Sequence, residues 1–319
     1  MLIFDALAQS PAFFIGTALL LGLLVGSFLN VVIYRLPVML NREWREQCAE
    51  LAATEATAAA AEAPAGSKQA DSTVSPSTAK SEKFNLIVPR STCPSCKAPI
   101  TALQNIPVIS YLFLRGRCAS CGKAISPRYP FVEALTGLMS AAVAWKFGFG
   151  FPALAALALT WFLIALTFID VDQQLLPDNM TLPLMWIGIL LSLWSANANG
   201  APVPVDTQSS IIGAAAGYLS LWSIFHLFRL LTKKEGMGYG DFKLLAALGA
   251  WLGWKMLLPV VIFSAAVGAV VGLGLIAIKR QGSQTPIPFG PFLAAAGWLM
   301  LMFGQEIVTK YLGMFTPHG

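Results

Sequence analysis

Two groups of residues in this 319-residue chain have types and spacings that could do chemistry. The first is a set of carboxylates. Asp170, Asp172 and Asp178 lie in Phe168-Ile-Asp-Val-Asp-Gln-Gln-Leu-Leu-Pro-Asp178, and Asp241 closes Gly236-Met-Gly-Tyr-Gly-Asp241. Two carboxylates held close together cannot both ionise cheaply, so one keeps a proton while the other serves as a base. The ionised member can activate water against a peptide carbonyl and the protonated one can supply the acid, with no covalent intermediate. The glycines before Asp241 would let backbone approach a substrate and take up conformations other residues avoid. Taken singly, each Asp also fits a plainer role. Carboxylates commonly cap helix starts, Asp241 sits where such a cap would sit, and Asp178 after Pro177 reads as a turn or cap residue.

The second group is a cysteine quartet. Cys93-Pro-Ser-Cys96 and Cys118-Ala-Ser-Cys121 are two C-x-x-C knuckles separated by 21 residues. Each can present two thiolates to one metal, and four thiolates suit tetrahedral zinc. The competing readings are two disulfides or unrelated buried thiols; a reducing cytoplasmic location argues against the disulfides. Four sulfur ligands leave no open position, so the expected Zn2+ is structural rather than catalytic. A small domain with little apolar core gains most from such a staple. The fifth cysteine, Cys48, stands apart as an unpaired thiol.

Other polar features carry less. His226 and His318 are isolated, which leaves no histidine triad or metal-hydrolase motif. Ser27 and Asn30, in Gly26-Ser-Phe-Leu-Asn30, read as helix-packing residues. Glu133 is an acid early in an apolar run, with Arg128 the expected partner. Gly236-x-Gly-x-Gly240 has neither the spacing nor the preceding strand of a dinucleotide motif.

The elements that must position these residues are membrane helices. Hydrophobic residues make up 56% of the chain and charged residues 12%, about half the charge density of soluble domains. The apolar residues fall in long runs near 12–34, 130–147, 152–169, 181–195, 209–231, 242–254, 256–278 and 289–312. The first run has no basic segment before it and is long enough to span, so it reads as a retained helix rather than a signal peptide. An all-α polytopic protein with about eight transmembrane helices follows, with both termini on one side. If the segment after the first helix is cytoplasmic, the stretches 35–129, 170–180, 229–243 and 279–288 share that side. They hold 12, 0, 4 and 2 Lys or Arg residues, 18 of the chain's 21. That bias is the positive-inside pattern, and it accounts for the net charge of +5 without nucleic acid. Both Asp170, ending one helix, and Asp241, beginning another, then lie at the cytoplasmic face.

The chain therefore divides into a first helix over 1–34, a cytosolic domain over 35–129 and a catalytic bundle over 130–319. Within the cytosolic part, residues 48–82 are Ala, Glu, Ser, Thr and Pro with few large apolar side chains. Such a stretch cannot offset its ordering entropy by burial and is expected to be a flexible insertion, with a short Ala-rich helix near 49–62 the one structured option. Residues 84–128 read as a compact zinc-ribbon-like unit. Its basic face (Arg115, Arg117 and Arg128) is expected to meet anionic lipid headgroups.

These motifs occur together in an order that resembles the bacterial type IV prepilin peptidases, aspartic leader peptidases and N-methyltransferases. The resemblance runs nearly end to end. It includes Gly22-Leu-Leu-Val-Gly-Ser-Phe-Leu-Asn-Val-Val-Ile-Tyr-Arg-Leu-Pro37, the paired knuckles, Asn105-Ile-Pro-Val-Ile-Ser-Tyr111 and Arg128-Tyr-Pro-Phe-Val-Glu133. It continues through Leu176-Pro-Asp-Asn-Met-Thr-Leu-Pro183, the G-x-G-D motif at Gly238 to Asp241 and Pro286-Ile-Pro-Phe-Gly-Pro291. It implies that Asp170 and Asp241 are the catalytic pair, with Asp172 and Asp178 at less-committed positions. It also implies cleavage after the glycine ending a short basic leader of type IV prepilins and type II secretion pseudopilins at the inner membrane. It further implies that the new N-terminal residue is methylated with S-adenosylmethionine. Gly116, in Leu114-Arg-Gly-Arg-Cys118, matches a glycine tied to the methylation half, although a tight turn before a knuckle would equally require it. The 48–82 insertion looks longer than the family usually carries.

Two other classes are compatible with parts of the sequence. A transporter or assembly scaffold explains the spans and knuckles but not two Asp residues at one face beside a glycine-rich loop. A presenilin-like intramembrane protease shares G-x-G-D, yet needs no zinc unit and would hold its dyad deeper.

Overall fold

The computed structural model describes residues 2–62, 84–101, 103–195, 205–234, 237–279 and 287–313. They form a mainly helical protein: α1 (Leu2–Gln9), α2 (Pro11–Glu62), α3 (Ile109–Phe113), α4 (Arg128–Phe147), α5 (Phe151–Gln173), α6 (Asp178–Ser195), α7 (Thr207–Thr232), α8 (Tyr239–Leu252), α9 (Leu257–Lys279) and α10 (Gly290–Gly313). Each of the eight apolar runs coincides with a helix. Five helices or helix segments are long and apolar enough to cross a bilayer: Pro11–Glu55, Phe151–Gln173, Thr207–Thr232, Trp254–Gly274 and Gly290–Lys310. The chain is a membrane protein.

The first helix does not stop at residue 34. It continues through Pro37 to Glu62, so residues 48–62, expected either flexible or as a short Ala-rich helix near 49–62, are helical and part of the first helix; 63–83 lie outside the described residues. The physical reason is cooperativity. Starting a helix is the costly step, and an Ala-rich segment extending an existing helix needs only propensity, not burial. Thr54 and Thr57 hydroxyls donate back to the Glu50 and Ala53 carbonyls along it.

Helix α8 sits at the centre. From Asp241 to Gly253 every residue except Lys243 is buried, against α6, α7 and α10. Its 14 residues rise only about 21 Å, short of the ~30 Å hydrocarbon core, as suits a helix enclosed by protein. Small residues allow the enclosure. A Cβ on Gly217 of α7 would lie 2.6 Å from the Leu245 carbonyl oxygen, and one on Gly188 of α6 would meet the Trp251 ring at 2.6 Å. Two polar contacts then fix the rotation of α8: the Ser210 hydroxyl donates to the Ala250 carbonyl (2.7 Å), and the Trp251 indole N–H to the Leu184 carbonyl (2.8 Å).

Helices α2 and α4 pack closely along one side, with Gly26 set against the backbone of Glu133. Asn30 donates from its side chain to the Tyr129 carbonyl (3.1 Å), consistent with a packing role. Between these two helices lies the segment with the cysteine knuckles. Buried Arg35 ties its start to α2 by donating to the carbonyls of Asn85 (2.9 Å) and Pro89 (2.6 Å).

Candidate active site

Asp170 lies in the last turn of α5. The helix closes with Gln174 in the left-handed conformation, whose N–H donates to the Asp170 carbonyl (2.8 Å). A short loop, Leu175 to Pro177, then leads to Asp178 at the start of α6. Asp241 enters from the opposite chain direction, in the first turn of α8 after the N-cap Gly238. Behind it, Phe242 is fully buried among the rings of Tyr218, Phe225 and Tyr239, at centroid distances of 5.5–6.0 Å.

The loop residue Leu176 joins the two halves. Its side chain is buried against Gly240 of α8 on one side and Gly290 of α10 on the other; a Cβ on either glycine would lie 2.6 Å or 3.1 Å from it. The Gly238 to Asp241 motif thus uses glycine differently from the sequence expectation. Gly238 has an ordinary φ of −81°, and Gly240 serves close packing rather than an unusual backbone conformation.

The four carboxylates separate into two kinds. Asp172 is paired with Arg128 (2.5 Å), and Asp178 with Lys243 (2.6 Å). Asp170 and Asp241 are 5% and 6% exposed, and neither meets a cation among the described residues. Asp170 Oδ2 accepts the Gly290 backbone N–H (3.0 Å), while Asp241 Oδ1 is buried with no hydrogen-bond partner. The two lie within electrostatic range of one another. Burial of two acids is costly unless they are paired, neutralised or put to use. Two buried carboxyls within electrostatic range of one another, one oxygen uncommitted, could exchange protons with a bound water and substrate.

Gly290 was missed by sequence reasoning as a site residue. The signal available was a Gly-Pro pair opening an apolar run, since proline favours the first helical turn and the preceding residue is free to be small.

Glu133 is buried, but its partner is not Arg128. It accepts the Val108 backbone N–H (2.7 Å), with Ser27 of α2 also in hydrogen-bonding range. Arg128 instead reaches across to Asp172 and lies over the Phe168 ring, 5.4 Å from its centroid. His226 lies against the Trp222 ring, 4.3 Å between centroids and tilted by 58°.

The cysteine quartet is assembled. All four Sγ atoms lie within 4.8 Å of one another, with Cys93 and Cys121 at 3.9 Å. Zinc–sulfur bonds of about 2.3 Å in a tetrahedron would space the sulfurs about 3.8 Å apart, so the set fits that ion. The knuckles are built alike. Lys97 N–H donates to the Cys93 carbonyl and Gly122 N–H to the Cys118 carbonyl, both at 2.9 Å and both from left-handed residues. Amide N–H groups of Cys96 and Ser95 pull the Cys93 thiol down to about 6, and those of Cys121 and Ser120 lower Cys118. Cys121 feels the same pull from the Lys123 amide, yet the crowding of Cys96, burial and the other two thiols push it up to about 11. Four thiolates cannot coexist in this space without a cation, which is what a metal supplies. Cys48 is exposed and remote. Gly116 takes φ +66°, and a Cβ there would lie 2.9 Å from the Tyr111 ring, so a turn alone accounts for glycine at this position.

Comparisons with known proteins agree with this arrangement. Residues 20–147 match the Bacterial Peptidase A24 N-terminal domain, and residues 157–273 match the Type IV leader peptidase family. A prepilin leader peptidase/N-methyltransferase of Aeromonas salmonicida is 50% identical over 302 residues, 95% of each chain. Proteins of the same description from Stutzerimonas stutzeri and Pseudomonas aeruginosa are 48% and 47% identical over 308 residues, 97% of each chain. No solved structure gives a significant match. With close to half the residues shared along nearly all of each chain, the protein belongs to the type IV leader peptidase family, among the prepilin leader peptidase/N-methyltransferases.

Proposed function

We propose that this chain removes the leader peptide from type IV prepilins and type II secretion pseudopilins, with Asp170 and Asp241 as the catalytic pair. Family membership supports the two activities, peptidase and N-methyltransferase. The observation that carries the residue assignment is the sorting of the carboxylates: Asp172 and Asp178 are each neutralised by a cation, whereas Asp170 and Asp241 are buried near one another without one. One of the pair takes a proton from the attacking water while the other protonates the scissile carbonyl oxygen, and the roles reverse as the amine leaves. The Gly290 N–H orients the Asp170 carboxyl throughout.

The bias of basic residues supports placing this site, and the domain over 35–129, on the cytoplasmic side of a bacterial inner membrane crossed about eight times. Cys93, Cys96, Cys118 and Cys121 would hold a structural zinc ion, closing a zinc-ribbon-like unit over 84–128. S-adenosylmethionine supplies the methyl group for the new N-terminus. Gly116 remains the candidate residue for that half, its turn shaping the surface between Tyr111 and the second knuckle. A transporter or scaffold reading gives no use to a cation-free carboxylate pair. A presenilin-like reading leaves the cysteine unit without a role.

Asp170→Asn and Asp241→Asn enzymes, purified into liposomes and shown to be folded by thermal unfolding, should each lose prepilin cleavage by at least about a thousandfold, as expected when an acid or base acting as one of a pair is removed. Methylation of an already cleaved pilin should persist. Full-rate cleavage by either variant would transfer the role to another carboxylate.

A further inference from the structure

Helix α3 follows Val108, whose amide is held by Glu133. Glu133 lies five residues into α4, about 7.5 Å along the axis from Arg128 at its start. Phe131 and Leu138 on the same helix point outward and are exposed, as lipid-facing residues of a membrane helix are. The beginning of α3 is thus tethered to α4 between one and two turns beyond Arg128, close to the outward-facing Phe131.

One face of α3 is apolar and uncovered. Ile109, Leu112 and Phe113 follow the i, i+3, i+4 spacing of a single helical face and are 50%, 68% and 85% exposed. The other side is committed: Tyr111 packs on Gly116, and the Ser110 hydroxyl donates to the Leu103 carbonyl (2.6 Å). Immediately after the helix come Arg115 and Arg117, both exposed and without an acidic partner among the described residues.

We propose that this face is a membrane-interface anchor. Ile109, Leu112 and Phe113 enter the boundary layer beside α4, and Arg115 and Arg117 meet the phosphates of anionic lipids. An amphipathic surface element sits about 5–10 Å into that layer, and the Val108–Glu133 contact holds α3 beside the first turns of α4. Each basic residue near an anionic surface adds on the order of fivefold to lipid affinity. The anchor fastens the knuckle-bearing segment flat against the bilayer at a third point, besides its two covalent attachments through α2 and α4. Arg128, engaged with Asp172 and Phe168, takes no part.

The test uses the full-length enzyme in nanodiscs of phosphatidylcholine with or without phosphatidylglycerol. An environment-sensitive fluorescent amino acid replaces Phe113, or, for reference, Glu55, about 30 Å along α2 from Arg35. Brominated lipid chains should quench position 113 at least threefold more than position 55, and aqueous iodide should do the reverse. Omitting phosphatidylglycerol, or introducing Arg115→Gln with Arg117→Gln, should lower the lipid quenching. Equal iodide access at both positions would overturn the proposal. So would protection at 113 that arises only after a prepilin is added, because the face would then belong to the substrate. Lipid quenching that ignores both lipid charge and the two arginines would overturn the electrostatic half.

Discussion

The backbone N–H of Gly290 donates to Asp170 Oδ2 at 3.0 Å, and a Cβ on Gly290 would lie 2.5 Å from that same oxygen. The start of α10 can therefore reach the carboxyl only as glycine. Gly290→Ala should push the helix start or the carboxyl aside. A displacement near 1 Å costs about a hundredfold in rate when it misplaces a reacting group. We expect kcat for prepilin cleavage to fall by roughly that factor with KM little changed, measured by steady-state kinetics in liposomes.

Asp172→Asn and Asp178→Asn should behave unlike changes at Asp170 or Asp241. Each breaks a partly exposed ion pair, worth at most about 1 kcal/mol. Cleavage should stay within about threefold of the parent, with a small decrease in thermal midpoint. A large loss of cleavage at either position, with the protein still folded, would break the division between paired and cation-free carboxylates.

Metal content offers a separate check. The intact protein should carry one zinc ion per chain by atomic emission. Cys96→Ser should abolish it and expose the 84–127 segment to protease. Structural zinc contributes on the order of 10 kcal/mol to small domains, so partial destabilisation is not the expected result. One zinc per chain retained in the Cys96→Ser protein would contradict the four-thiolate site.

Gly217→Val would force a side chain into the Leu245 backbone, where even a Cβ lies 2.6 Å from the carbonyl oxygen. Helices α7 and α8 must then separate, and overpacking of this kind costs about 1–3 kcal/mol or more. Because α8 carries Asp241, the thermal midpoint and the cleavage rate should fall together.

Glu133→Ala would leave the Val108 N–H without its acceptor, at a cost of about 1–3 kcal/mol. Hydrogen exchange should rise in residues 103–113 before it rises in α5 or α8, since the contact joins that segment to α4.

Much of this architecture is legible in residue order because bilayers demand long apolar runs, and each run found in the sequence is helical. The knuckles are equally legible, since two thiolates with two residues between them carry their geometry with them. What local pattern could not reveal is pairing across the chain. Arg128 lies 44 residues from Asp172, and Lys243 lies 65 from Asp178. Sequence proximity instead suggested Arg128 for Glu133, whose acceptor role goes to a backbone amide. Gly290, quoted in the sequence only within Pro286–Pro291, was not singled out as a site residue for the same reason: its importance comes from what faces it, 120 residues away. The continuation of α2 to Glu62 was obscured by composition, which measures the ability to bury surface and not the ease of extending a helix already begun.

From Asp241 to Leu252, helix α8 has every side chain but that of Lys243 walled in by its neighbours, although Tyr239 at its start is exposed. The outer helices can tilt or splay as acyl chains lengthen, thin or change packing, while the buried segment after Asp241 is packed against protein. On the proposed assignment, the geometry around Asp241 would be insulated from the bilayer's mechanical state. A bacterium that remodels its phospholipids with temperature would then keep the proposed Asp170–Asp241 pair in register.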